Sequence, residues 1–228
     1  MQKYISLTIL CCIISALLPS CIGTDYLDDF VQPGVRITNP PDTIKIGTNY
    51  AFEAAYYNGV GIAETTSLIW SSSDSNVISI NEDGLSFAEN YGEATITVST
   101  TDTPPYTAQK HVVIGDTTVL QPLIRTGTLI STSSYALEGD VILHYVGSQL
   151  VLELDDNYHT SDNLPGLYVY LTNNPSTNAG AFEIGPVEVF DGSHSYNLPE
   201  SVQLFDYSHV LYYCAPFNVK VGECELQP

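Results

Sequence analysis

A chain of 228 residues in which 26 acidic side chains face 6 basic ones carries a formal net charge of −20. That surface repels nucleic acid and anionic lipid headgroups, so neither is expected as a partner. Its 16 tyrosines and 44% hydrophobic content are too apolar for a disordered acidic segment, and the length suits one large or two small folded domains.

The chain opens with a single lysine, Lys3, followed by the apolar run ISLTILCCIISALL, which is too short for a comfortable membrane span. A basic start, a short apolar run and small residues after it describe a secretory signal over residues 1–20. Leu18-Pro19-Ser20-Cys21 resembles a bacterial lipobox, with Pro19 a departure from its usual residue. The resemblance implies cleavage before Cys21, loss of Cys11 and Cys12, and acylation of Cys21. Lipid would then hold the protein on a membrane without spanning it. A plain signal peptide cut nearby is the other reading. Residues 21–34 read as an acidic tether closed by Pro33-Gly34. Asp25, Asp28 and Asp29 resemble the export signals of surface lipoproteins in Bacteroidetes. The expected location is outside the cytoplasm, lipid-anchored to the outer membrane on its periplasmic side or at the cell surface.

Residues 35–115 read as short strands: TIKIG, NYAFEAAYY, LIWSSS, VISIN, LSFAE, EATITVST and KHVVIG, separated by Gly, Asn, Asp or Pro. None shows a sustained helical period. Trp70-Ser71-Ser72-Ser73, Val77, Asp83-Gly84 and Gly92-Glu93-Ala94-Thr95-Ile96-Thr97-Val98 together resemble the group-two bacterial immunoglobulin-like domains. The resemblance implies a spacer or adhesive module without catalysis. Independently of it, Thr95, Thr97 and Ser99 alternate with Ala94, Ile96 and Val98, which predicts one wet and one buried face. Trp70 is expected in the core.

Residues 116–124 form the expected linker. Asp116-Thr117-Thr118, like Asp42-Thr43-Ile44, resembles the short O-glycosylation motif of Bacteroides. Residues 125–228 again read as strands: GTLIS, DVILHYV, QLVLELDD, GLYVYLTN, VEVFDG, SYNLP, VLYYCA and FNVKVG. The fold class is therefore all-β, two antiparallel sandwiches in tandem.

Several blocks of this second half occur in the order of a known family: GTLIS, LEGDVIL, LVLELDDNY, LPGLYVYLTNNP, VFDGSHSYNLP and FDYSHVLYYCAPFNVKVGECEL. Tyr213-Cys214, Phe217-Asn218-Val219 and Gly222 match its late strand. This resembles the DM thirteen domain, a β-sandwich related to DOMON domains. The resemblance implies electron transfer, with Cys214 as the redox candidate and a redox cofactor there as a further expectation. Its redox partner is not indicated.

The residues alone leave Cys214 open between a redox thiol and a small core residue. A reactive thiolate needs a cation, a metal or a helix N-terminus beside it. Lys220 and His209 are the nearest basic groups in sequence, and His209 falls on the opposite strand face. Cys224 is the available partner for a disulfide, provided the chain turns back through Ala215-Pro216 or Gly222-Glu223. Asp155-Asp156-Asn157, with Asp162 and Asn163, offers hard oxygens for calcium without EF-hand spacing. His144, His159, His194 and His209 lack the spacing of a zinc motif. Tyr168, Tyr170, Tyr207, Tyr212 and Tyr213 could present an aromatic surface to a glycan or protein ligand. With no nucleophile motif or acid–base constellation, the expected class is non-enzymatic: an electron-transfer lipoprotein or, alternatively, a surface-binding module in which Cys214 is a core residue.

Overall fold

The computed structural model describes residues 30–120 and 124–228. The signal segment, Cys21 and the tether as far as residue 29 lie outside the described residues, as do linker residues 121–123. The described chain is all-β and contains no α-helix, and none of it is a helix long and apolar enough to cross a membrane.

The first unit comprises β1 (Gly34–Ile37), β2 (Pro41–Lys45), β3 (Asn49–Ala51), β4 (Ala54–Tyr57), β5 (Ala63–Glu64), β6 (Leu68–Ser72), β7 (Ile78–Ile80), β8 (Leu85–Ala88), β9 (Gly92–Thr100) and β10 (Thr107–Gly115), with β11 (Val119–Leu120) beyond it. The strands form three sheets, ordered β1-β4-β5, β11-β2-β10-β9-β6 and β3-β8-β7. These share one core built from Ile44, Phe52, Ile78, Ile96, Val98 and Val112 among others. Along β9 the expected alternation holds: Ala94, Ile96 and Val98 are buried while Thr95, Thr97 and Ser99 are half-exposed. Trp70 packs at the edge of this core, its ring 5.9 Å from that of Phe52. One pairing departs from an antiparallel plan. β2 runs parallel to β10 through Thr43↔Val113 and Ile44↔Ile114. No hairpin links these strands, so nothing forces them antiparallel.

The second unit comprises β12 (Ile124–Ser131), β13 (Leu137–Val146), β14 (Gln149–Leu154), β15 (His159–Thr160), β16 (Leu167–Thr172), β17 (Phe182–Pro186), β18 (His194–Asn197), β19 (His209–Cys214) and β20 (Val219–Glu225). They make one continuous antiparallel sheet, β17-β16-β19-β20-β12-β13-β14-β18, with β15 attached to β13. It curls so that its two ends bury a single core, which includes Leu143, Leu152, Val169, Leu171, Val210, Tyr212, Cys214 and Cys224. Two expected strands shift. VEVFDG is not a strand, and its place is taken by Phe182–Pro186, which pairs with β16. FNVKVG starts late, because Ala215–Phe217 forms a 3₁₀ turn with Pro at its start.

Gly222 explains how the sheet continues across its narrowest seam, β20 to β12, where the ladder pairs only Ile130↔Glu223 and Ser131↔Gly222. A Cβ at Gly222 would lie 2.7 Å from Leu137 Cδ2 and closer still to the Ile130 carbonyl oxygen. Only a residue without a side chain lets the two strands approach.

Candidate functional site

The late strands form a hairpin whose turn is specified locally. Pro216 favours the 3₁₀ turn. Asn218 takes a left-handed conformation at φ 53°, which Asn tolerates well. Its side-chain oxygen accepts a 2.6 Å hydrogen bond from the Tyr213 hydroxyl. β19 then alternates. Val210, Tyr212 and Cys214 face the main core, and Leu211 and Tyr213 face a smaller apolar cluster with Tyr170 on the other side of the sheet. His209 lies on that second face, as its odd spacing from Cys214 required.

Cys214 is fully enclosed, at 0% exposure, and its thiol donates at 3.5 Å to the Pro165 carbonyl. Neither basic neighbour in sequence reaches it. Lys220 pairs with Glu223 at 2.7 Å, and the His209 ring contacts Ser208 Oγ at 2.8 Å. A thiol whose polar contact is an amide carbonyl has no base to take its proton and no cation to hold a thiolate. A cofactor bonded to this sulfur does not fit so closed a core.

Cys224 is not incidental to the packing. It is 2% exposed, faces the same core and lies against Gly127, where a Cβ would come within 2.9 Å of its sulfur. Burial pushes its thiol up to about 12. Both cysteines are free, and the register shows why they are no pair. Cys214 sits opposite Val219 while Cys224 sits opposite Val210. Four residues of strand separate them, roughly 13 Å, whereas a disulfide needs Cα atoms about 5–6 Å apart.

Two residues from Cys214, on the same face, Tyr212 begins an aromatic chain that sequence alone did not single out. Its ring lies 6.1 Å from Tyr158; Tyr158 meets His194 edge-on at 4.7 Å; His194 meets Tyr196 edge-on at 5.3 Å. Tyr158 and Tyr212 are 1% and 0% exposed. Their hydroxyls face one another without a well-formed hydrogen bond, and His194 Nε2 is likewise buried without a partner. Desolvation raises both phenols far above their ordinary value, and raises half-buried Tyr196 to about 12.

The loop before β15 fixes Tyr158. Gly139 has φ +130°, and a Cβ there would meet the Tyr158 Cα at 2.6 Å, so a glycine is required for the loop to lie against β13. Asn157 accepts from the Asp140 amide at 2.9 Å and donates to its carboxylate at 2.8 Å. Asp155 accepts from the Asp156 amide at 2.7 Å. Two of the side chains considered for calcium, Asp155 and Asn157, thus shape the loop, and among the described residues no three His, Cys, Asp or Glu side chains gather as a metal site. On the other flank the Gly192 amide donates to the Tyr158 carbonyl at 2.8 Å, and His159 contacts Asp191 at 3.0 Å, which seats His194 beside Tyr158.

The tyrosines expected to form one aromatic surface are divided among faces. Tyr212 is in the main core, Tyr170 and Tyr213 are buried on the opposite face, and only Tyr168 and Tyr207 are partly exposed. Two arginines sit where the units meet. Arg36 donates to Asn173 Oδ1 and the Phe205 carbonyl at 3.1 Å and stacks 4.6 Å from the Tyr57 ring centre. Buried Arg125 donates to the carbonyls of Leu204, Tyr207 and Leu226, and burial lowers it to about 10.

No curated protein matches the chain. Its second unit does match a family model: residues 129–226 fit the family described as Electron transfer DM13, a span that takes in Tyr158, His194, Tyr212, Cys214 and Cys224. Over residues 129–226 the chain carries a DM13 electron-transfer domain.

Proposed function

We propose that this is an exported, non-enzymatic lipoprotein that carries single electrons. In this reading Cys21 bears the lipid, the first β unit is an immunoglobulin-like stalk, and the DM13 domain exchanges electrons with a partner near the membrane. Cys214 is its candidate redox sulfur. The observation that carries the reading is the DM13 match over residues 129–226, which takes in Cys214. Thiol–disulfide exchange requires in-line attack on an accessible sulfur, and the two thiols are too far apart to cycle as a pair. Outer-sphere transfer of one electron needs neither.

The test is to purify the full chain and its Cys214→Ser variant, and to count electrons exchanged per chain with one-electron mediator dyes. The expected result is one electron per chain in the parent and an altered or lost exchange in the folded variant. No exchange in the parent overturns the reading. Unaltered exchange in Cys214→Ser removes Cys214 from it.

A second reading is favoured by the enclosure of Cys214 itself: the domain is a surface-binding module and Cys214 only fills its core. A glycan array and a pull-down with the intact protein test it, and binding that persists undiminished in Cys214→Ser would support it over electron transfer.

A further inference from the structure

Lysine and arginine are scarce in this chain, six against 26 acids, yet Arg36, Lys110 and Arg125 line one cleft of about 420 Å³ where the two units meet. Ser208, Glu225 and Gln227 line it as well. The volume falls in the range of small-ligand sites, which favour such junctions.

The two guanidiniums share one loop. Arg36 donates to the carbonyls of Phe205 at 3.1 Å and Asp206 at 3.3 Å, and Arg125 to those of Leu204 and Tyr207. Four consecutive carbonyls thus supply hydrogen bonds but no negative charge. Among the described residues no carboxylate comes within 4 Å of either guanidinium. Arg125 is 6% exposed and its Nε has no hydrogen-bond partner. A buried cation is ordinarily paired, and acids are plentiful here, so the missing counter-charge needs an explanation. Burial, and then repulsion by Arg36, pull Arg125 down to about 10. Lys110 is held by Asp42 at 2.6 Å. Glu225 is exposed and forms no ion pair among the described residues. Three cations against Asp42 and Glu225 leave the cleft with surplus positive charge inside a protein of net charge −20.

We propose that this cleft binds a small oxyanion, a carboxylate or phosphate group on a molecule no larger than about a monosaccharide. Lys110 and Arg36 donate to its oxygens. The recorded bonds of Arg36 leave Nη2 a second hydrogen for this. The buried charge of Arg125 adds attraction from the wall, where screening is weak. Arg36 and Lys110 come from the first unit and Arg125 from the second, so the ligand sits across the junction. The site uses neither Cys214 nor the electron-transfer reading.

The experiment is isothermal titration of the purified full chain with inorganic phosphate, glucuronate and uncharged glucose, at low and constant ionic strength. The rest of the surface repels anions, so saturable uptake reports the cleft. One site per chain with a Kd below about 1 mM is expected for phosphate or glucuronate, and none for glucose. Tighter glucuronate assigns the cleft to an acidic sugar, and tighter phosphate to a phosphate or phosphomonoester. Lys110→Gln should weaken binding by about fivefold or more, and Glu225→Gln, which removes an exposed acid, should tighten it. Lys45→Gln loses the same charge outside the cleft and should leave the Kd within about twofold. Should Lys110→Gln fail to fold, Glu225→Gln decides alone. Absence of saturable binding of either anion overturns the proposal. So does glucose binding as tightly as glucuronate, a Lys45→Gln effect equal to that of Lys110→Gln, or a Kd unmoved by Glu225→Gln.

Discussion

Alkylation of the two cysteines in the folded protein gives the sharpest contrast between a closed core and an exchange thiol. Near pH 8 an ordinary cysteine is about one-quarter thiolate. With its thiol pushed up to about 12 by burial, Cys224 is thiolate in about one molecule in ten thousand. Ionisation alone therefore slows its reaction by more than about three orders of magnitude, before any barrier to entry of the reagent. Cys214 is enclosed at 0% exposure and must wait for the hairpin of β19 and β20 to open. The assay is iodoacetamide treatment of the native and guanidinium-unfolded protein, followed by peptide mass mapping of both cysteines. The expected outcome is complete modification when unfolded and none when native. Rapid labelling of either cysteine in the folded chain would refute the packing described here and reopen thiol chemistry at that site.

Other outcomes follow from the same geometry. Gly222→Ala should destabilise the second unit by more than about 3 kcal/mol, because a methyl group there meets backbone across the β20–β12 seam; a denaturant midpoint measures this. Stability should fall with rising alkalinity. Cys224, Tyr158 and Tyr212 hold their protons in the folded state above the values they have unfolded, so their contribution is complete below about pH 9 and is lost as pH rises beyond it. Each such group lowers stability by up to about 1.4 kcal/mol per pH unit in that window, which chemical denaturation between neutral and strongly alkaline pH will read. Arg36→Ala removes the charged donor from Asn173 and Phe205, and should increase protease cutting within residues 116–124 without lowering the midpoint of either unit by much. Cys21→Ala should release the protein from the membrane fraction, as an immunoblot of fractionated cells will show.

The strand alternation of β9, the all-β class and the late hairpin with Cys214 were legible because each is a local pattern: period two, turn residues, and a run of aromatics ending in cysteine. Cys224 is legible in the sequence only as a possible disulfide partner, because its packing role depends on Gly127 and Val210, partners supplied by register across the sheet. Gly222 looked like a turn for the same reason. Its missing side chain serves a strand nearly a hundred residues away, not a local bend. The tyrosines could not be sorted between one aromatic surface and two cores without knowing that β16 and β19 pair in the sheet interior. Tyr158 and His194 carry no motif. They meet because the Asn157 and Gly192 loops are tied down from opposite sides, a contact between segments more than thirty residues apart.

The central claim is that the DM13 domain passes one electron at a time through a core that stays closed. Protein-film voltammetry of the whole chain, before and after exposure to an alkylating reagent, tests it most directly. The account predicts a one-electron wave whose area alkylation leaves unchanged. A two-electron wave that alkylation abolishes, or the absence of any wave, would contradict it.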